Sequence, residues 1–279
     1  MLAFIHVAKT GGQTVAVMLR SAYGLNHCDA AFLAKIKVTD PFAVKYVVPK
    51  FNAHDFQQLQ KYWPRMKSIS GHPIALWSEL DSICPDTQYF ALVREPIKRG
   101  ASHFQYHIRY DRPCLDWDNW VNWEVHQNHQ VKMLSKNVDA NEAIRQIKQK
   151  NVFVGLTERF DESLVLFKAL FAKELNIAYI RTNTARDNSI AQKLLANPQT
   201  CAQIREMYRA DLELYEFVAH ELYPSFQKEY GPNLARDVQT YRENQRNAVN
   251  QRNILLNRAY RRLVFRPLQQ IYRWRHNQS

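Results

Sequence analysis

Phe4-Ile-His-Val-Ala-Lys-Thr-Gly-Gly-Gln-Thr14 is the stretch on which the fold turns. With Leu2 and Ala3 ahead of it, residues 2–7 make a short apolar run, and Lys9-Thr-Gly-Gly12 is a turn signal. Thr14-Val-Ala-Val-Met-Leu-Arg20 then reads as a helix. Strand, glycine loop and helix in that order open an α/β unit. The same loop has the parts of an anion site. Its glycines bring backbone N–H groups close, the helix start adds partial positive charge, and Lys9 and Thr14 add a cation and a hydroxyl. Lys9 precedes the glycines, whereas the GxxxxGK[ST] loop of ATPases places its lysine after them, so an ordinary P-loop ATPase is disfavoured. Taken alone, the loop is equally a strand-to-helix turn with a solvated lysine.

Outward from this loop, further strands are expected at Ser68-Ile-Ser70, Tyr89-Phe-Ala-Leu-Val93 and Val152-Phe-Val-Gly-Leu156, with a late one at Ala178-Tyr-Ile180. Helices are expected after Pro96 through His103 and Tyr106, over 160–175 and over 204–222. Leu164, Phe167, Leu170 and Phe171 carry the helical spacing of the second. Strands alternating with helices predict an α/β, P-loop-like three-layer fold with a mostly parallel sheet flanked by helices. The composition changes after Pro232, so a domain over 1–230 and a basic, helical C-terminal extension over 231–279 are expected.

The chain has 279 residues, 46% of them hydrophobic, enough for one full core. Its net charge of +12 is concentrated at the end. Residues 236–279 hold ten Arg, no Lys and only Asp237 and Glu243 as acids. The body is therefore only mildly basic. No nucleic-acid recognition motif accompanies the basic tail, and a nucleic-acid partner is not expected. Cys28, Cys84, Cys114 and Cys201 form no CxxC pair. Residues 2–7 are too short for a signal-peptide core, and no apolar run reaches about 18 residues. A reduced, cytoplasmic protein is expected.

The second informative segment is Leu92-Val-Arg-Glu-Pro-Ile-Lys-Arg-Gly-Ala-Ser-His-Phe-Gln-Tyr106. Arg94 falls at a strand end and Ser102 about two turns into the following helix, a pair suited to clamp a phosphate. With this segment the chain resembles the PAPS-dependent sulfotransferases (PAPS is 3′-phosphoadenosine 5′-phosphosulfate). The first segment is similar to their 5′-phosphosulfate loop, PKTGGTS, and the second to their 3′-phosphate motif. Ser70-Gly-His-Pro73 resembles the segment carrying their catalytic histidine, and Asn128-His-Gln-Val-Lys-Met-Leu134 an NxQxRxL block. Residues 154–164 and 211–217 resemble later blocks, so the likeness spans roughly residues 2–222, nearest to bacterial-type and heparan-sulfate 2-O-type glycan enzymes. Ala8 stands where proline is common, Gln13 where a hydroxyl residue is usual, and Lys132 where arginine is.

The resemblance implies sulfuryl transfer from PAPS to an acceptor hydroxyl, most naturally on a polysaccharide, oligosaccharide or glycolipid, with PAP as product and no metal. His72 is the implied base and Lys9 the cation at the leaving oxygen. Lys9, Thr10, Gly11, Gly12, Gln13 and Thr14 are implied for the phosphosulfate, Arg94 and Ser102 for the 3′-phosphate, and Asn128, Gln130 and Lys132 for the acceptor. The alternative is a P-loop-like nucleotide kinase, against which no magnesium-binding acidic site is evident. His6 reads as a structural histidine. His126 and His129 make an HxxH pair without the HExxH context of a zinc helix, so no metal is expected there. Trp117, Trp120 and Trp123 read as a helix packing stripe. Residues 252–275 carry seven Arg and no acid. Leu256, Tyr260, Leu263 and Val264 give them an apolar stripe, continued by Leu268 and Ile271 past Pro267. Such a helix suits peripheral association with an anionic membrane, here its inner face, or with a polyanion, or else docking on the body.

Overall fold

A computed structural model describes residues 1–30, 51–111, 116–122, 126–182 and 187–267. Cys114, Trp123, Leu268 and Ile271, named above, lie outside the described residues. Among the described residues one all-parallel sheet runs in the order β2-β3-β1-β4-β5. Its strands are β1 (Leu2–Ile5), β2 (His27–Asp29), β3 (Ser68–Gly71), β4 (Gln88–Val93) and β5 (Phe153–Leu156). β1 is buried along its whole length, as a central strand covered on both faces must be.

The chain leaves β1 toward β2 on one side and later crosses to β4 on the other. The strand order therefore reverses at β1, and such a switch point leaves a crevice at the carboxyl ends of the strands flanking it. Helix α1 (Gly12–Tyr23) begins at the end of β1, and α3 (Pro96–Tyr106) follows β4. Gly11 caps α1 in the left-handed conformation, φ +83°, a backbone that residues with a Cβ rarely adopt. The side chain of Glu95 caps α3, accepting from Ile97 N at 3.0 Å and Lys98 N at 2.8 Å, and Pro96 sits at the first turn.

The remaining helices are α2 (Ala53–Gln60), α4 (Trp117–Val121), α5 (His129–Ser135), α6 (Ala140–Gln149), α7 (Phe160–Phe171), α8 (Ser189–Ala196), α9 (Pro198–Met207), α10 (Arg209–Phe217), α11 (Tyr223–Tyr230), α12 (Leu234–Asn244) and α13 (Gln251–Tyr260). Phe90, Phe153 and Phe167 stack where β4 and β5 meet α7. Three differences from the sequence reading have clear causes. β2 has only three residues, too few for a periodic signal. Residues 178–180 join no sheet among the described residues, and their amides bond to side chains instead: Ala178 N to Asn176 Oδ1 at 3.0 Å and Tyr179 N to Gln245 Oε1 at 3.1 Å. The helix expected over 204–222 is two helices, α9 and α10, followed by a π-helical turn at Val218–Leu222.

Leu234, Val238 and Phe265 belong to the same core cluster as the sheet residues. Asn257 donates to the carbonyls of Gly24 and His27, each at 2.8 Å, and Arg261 pairs with Asp29, which Arg20 also holds. Helix α13 is thus docked on the body at the β2 edge. Among the described residues, no helix is long and apolar enough to cross a membrane.

Candidate functional site

A cavity of about 630 Å³ opens at the switch point, within the usual range of small-molecule sites, roughly 300–1,000 Å³. Its walls come from the β1–α1 loop, the β4–α3 junction, the start of α7 and residues 179–182. Of the residues named from sequence, Lys9, Gly11, Gly12, Gln13, Thr14, Arg94 and Ser102 line it. The two motifs, some 85 positions apart, are physically joined: Arg94 Nη1 donates to the Lys9 carbonyl at 3.3 Å. Thr157 Oγ1 lies 3.1 Å from the Thr10 carbonyl and 2.9 Å from that of Val93, bridging the same two strand ends.

Thr10 is fully buried and its hydroxyl donates to the Val7 carbonyl at 3.0 Å, so it shapes the loop from inside. Lys9 has a left-handed backbone, φ +69°, and its ammonium lies 4.6 Å from the centre of the Tyr106 ring. Burial, reinforced by the Arg94 charge, lowers the Lys9 pKa to about 8. Lys9 is still cationic at neutral pH, but held close to losing its proton. Thr14 Oγ1 accepts from Thr182 N at 3.2 Å, which pins residues 181–182 beside the first turn of α1.

His72 sits in the loop after β3, half-buried, beside the cavity rather than among its lining residues. Its Nδ1 lies 3.0 Å from the His6 carbonyl. A carbonyl only accepts, so Nδ1 carries the proton of the neutral ring and Nε2 is the basic nitrogen. The His6 and His72 rings stack with centroids 4.1 Å apart. His6, read from sequence as structural, lines the cavity, and burial followed by the nearby His72 holds its pKa well below the usual histidine range. Gly12 is what admits that ring: a Cβ there would overlap it, with His6 Cγ only 2.8 Å away.

Asn128 and Gln130 are buried, and their side chains serve the site from behind. Gln130 Oε1 accepts from Arg94 N at 2.9 Å and its Nε2 donates to Arg94 O at 3.0 Å, which fixes the backbone carrying the guanidinium. Asn128 Oδ1 accepts from Asp211 N at 3.1 Å. Asp211 in turn accepts from Val131 N at 2.8 Å and pairs with Arg99 at 3.2 Å, both side chains fully buried. Asn128 and Gln130, expected at the acceptor, thus hold Asp211 and the Arg94 backbone in this structure. Lys132, two residues further along α5, is half-buried.

Sequence reasoning missed Lys98, Thr157, Glu158, Phe160, Tyr179, Arg181, Thr182 and Asn188, all of which line the cavity. Thr157, Glu158 and Phe160 lie in a block singled out at 154–164, and their role there was signalled only by family likeness. Tyr179 and Arg181 fell in or beside an expected strand. Phe160 and Tyr179 meet edge to face, centroids 5.2 Å apart, and present an aromatic wall. Among the described residues, the cationic lining groups Lys9, Arg94, Lys98 and Arg181 face one acid, Glu158.

The galactose-3-O-sulfotransferase family model matches residues 117–268, more than half of the chain. The chain belongs to that family, and it is a sulfotransferase. The match covers Thr157, Phe160, Tyr179 and Arg181 of the cavity, whereas the β1–α1 loop and Arg94 lie outside it, so the two lines of argument rest on different residues. No curated protein matches the chain.

Proposed function

We propose that this chain transfers a sulfuryl group from PAPS to a hydroxyl of a carbohydrate, with the β1–α1 loop and the β4–α3 junction gripping the donor. The observation that carries the reading is the convergence of Lys9, Arg94, Lys98 and Arg181 on one cavity beside an aromatic wall. PAPS has anionic groups at both ends of a nucleoside and suits such a lining. The close glycine backbone fits as well. A Cβ on Gly11 would come within 3.0 Å of the Phe160 ring, in a loop with no acid in the first turn of the helix it starts.

In this proposal Lys9, Thr14 and the backbone of Gly11–Gln13 hold the phosphosulfate. Arg94 and Ser102 hold the 3′-phosphate, and Phe160 faces the adenine. PAPS supplies an activated sulfuryl group, whose sulfur–oxygen bond to phosphate breaks as the acceptor oxygen bonds to sulfur. His72 Nε2 takes the proton of the acceptor hydroxyl. The Lys9 ammonium neutralises charge on the departing phosphate oxygen. Sulfuryl transfer, like phosphoryl transfer, asks mainly for alignment and charge stabilisation, and Gln130 and Thr157 support both by fixing Arg94 and the loop.

The family name makes a galactosyl hydroxyl of an oligosaccharide, polysaccharide or glycolipid the first acceptor to try. A nucleotide kinase fits less well, since Lys9 precedes the glycines and Glu158, the acid at the cavity, already accepts from Glu95 N at 2.9 Å. A cytoplasmic protein with peripheral attachment belongs to the same proposal. Leu255, Leu256 and Leu263 are exposed among the arginines of residues 251–265, a pattern suited to an anionic surface.

The test is His72→Ala assayed with labelled PAPS and a panel of galactosides. PAP binding should persist while transfer falls by roughly 10²–10⁴-fold, the usual worth of a general base. Normal turnover in that variant would remove His72 as the base.

A further inference from the structure

Behind the wall of the cavity formed by α3, three histidines converge. His103 lies on α3, His107 is one turn further on, and His126 comes from the segment just before α5. All three are buried, and one ring nitrogen from each lies within 4.8 Å of the other two. Their ring centroids form a nearly equilateral triangle, with sides of 4.7, 4.7 and 5.0 Å. The Nε2 atoms of His103 and His107 are 3.2 Å apart.

The ring spacings and the His103–His107 nitrogen separation are close to those of a ligand set. A tetrahedral zinc ion with Zn–N bonds of about 2.0–2.1 Å spaces its nitrogens roughly 3.3–3.4 Å apart and its ring centroids about 5 Å apart. A hydrogen bond between His103 and His107 would explain one side of the triangle, and it does not call for the third ring at the same spacing. No carboxylate joins the cluster among the described residues, so the donor set is imidazole, suited to zinc and its transition-metal neighbours rather than to magnesium or calcium.

We propose that His103, His107 and His126 form a structural transition-metal site, with zinc as its resident ion, that clamps α3 to the segment leading into α5. A fourth position is left for water or an anionic donor. The clamp bears on the donor cavity through both of its arms. α3 carries Ser102, next to His103, into the cavity, and α5 carries Gln130, which fixes Arg94. The ion holds these elements in register and takes no part in the transfer. Its presence does not depend on which donor or acceptor is used.

The experiment measures zinc by elemental analysis in full-length chain purified without a histidine tag. About one zinc per chain is expected. His107→Ala and His126→Ala should lose it at least tenfold, while His220→Ala, at an exposed position, should keep it. A second arm uses the wild-type chain, so that a variant's misfolding cannot obscure the result. Chelator-stripped protein should melt at a lower temperature, recover with one equivalent of Zn²⁺, and develop the visible d–d bands of tetrahedral cobalt on adding Co²⁺. Stripped, folded protein that binds neither ion, or zinc lost equally in His220→Ala, would overturn the site.

Discussion

Substituting Gly12 by alanine places one methyl group where the His6 ring now lies, with His6 Cγ 2.8 Å from the new carbon. The ring has little room to retreat, because it is buried and its far side stacks on His72 at 4.1 Å. Overpacking of this kind costs about 1–3 kcal/mol. Alanine's better helix propensity offsets at most about 1 kcal/mol of that. A net loss of about 1–2 kcal/mol is therefore expected, each kcal/mol shifting Tm by roughly 2–4 °C in a chain of this size. The effect on turnover should be larger. Displacing His6 moves the carbonyl that orients His72, and a misplacement of about 1 Å at a reacting group can cost on the order of 100-fold. Urea melts and transfer assays on Gly12→Ala, His6→Ala and the double variant measure both. Deleting the ring removes the overlap, so the double variant should be more stable than the sum of the single losses by about 1 kcal/mol or more. If Gly12→Ala stays within about 0.5 kcal/mol of wild type and turns over normally, the close approach of Gly12 to His6 is not what shapes the site.

Asp211→Asn should destabilise the fold by about 3–5 kcal/mol in denaturant melts, because it leaves the fully buried Arg99 without its counter-charge. A loss under about 1 kcal/mol would contradict the account of that pair. Stability should also fall with acid in a defined window. Burial lowers the pKa of His27 to about 3, and that of His6 well below the usual value. Below about pH 6.5 the unfolded chain takes up protons that these native rings refuse, so the stability they contribute above pH 6.5 is lost as pH falls. The His27 ring accounts for about 1.4 kcal/mol between pH 7.5 and 5.5, and His6 adds in the same direction. Melts across that range should show the loss shrink in His27→Gln, and an unchanged pH dependence would refute this assignment.

The features legible in the sequence were those written locally. The glycine loop was readable because Gly11 must occupy a left-handed turn between an apolar strand and a helix. Arg94 was readable because Pro96 marks a helix start immediately after a strand. Features set by distant partners were not. β2 at His27–Asp29 is held at the sheet edge by Arg20 and Arg261, the second of them 232 positions away. Gln130 gave no local sign that its amide would clasp the Arg94 backbone, 36 positions away. The HxxH pair at 126 and 129 drew attention from His103 and His107, whose helical spacing is the pair that meets His126. Composition likewise gave no sign that Phe265, in the basic tail, packs edge-on against Trp63, with centroids 4.3 Å apart.

The central claim, that the β1–α1 loop and Arg94 form one donor site, is tested most directly by calorimetric titration of PAP without any divalent cation. The wild-type chain should bind it, and Arg94→Ala should bind roughly 10–150-fold more weakly, as expected for losing about 1.5–3 kcal/mol of charge-assisted hydrogen bonding. A chain that ignores PAP and binds ATP only with magnesium would contradict the account.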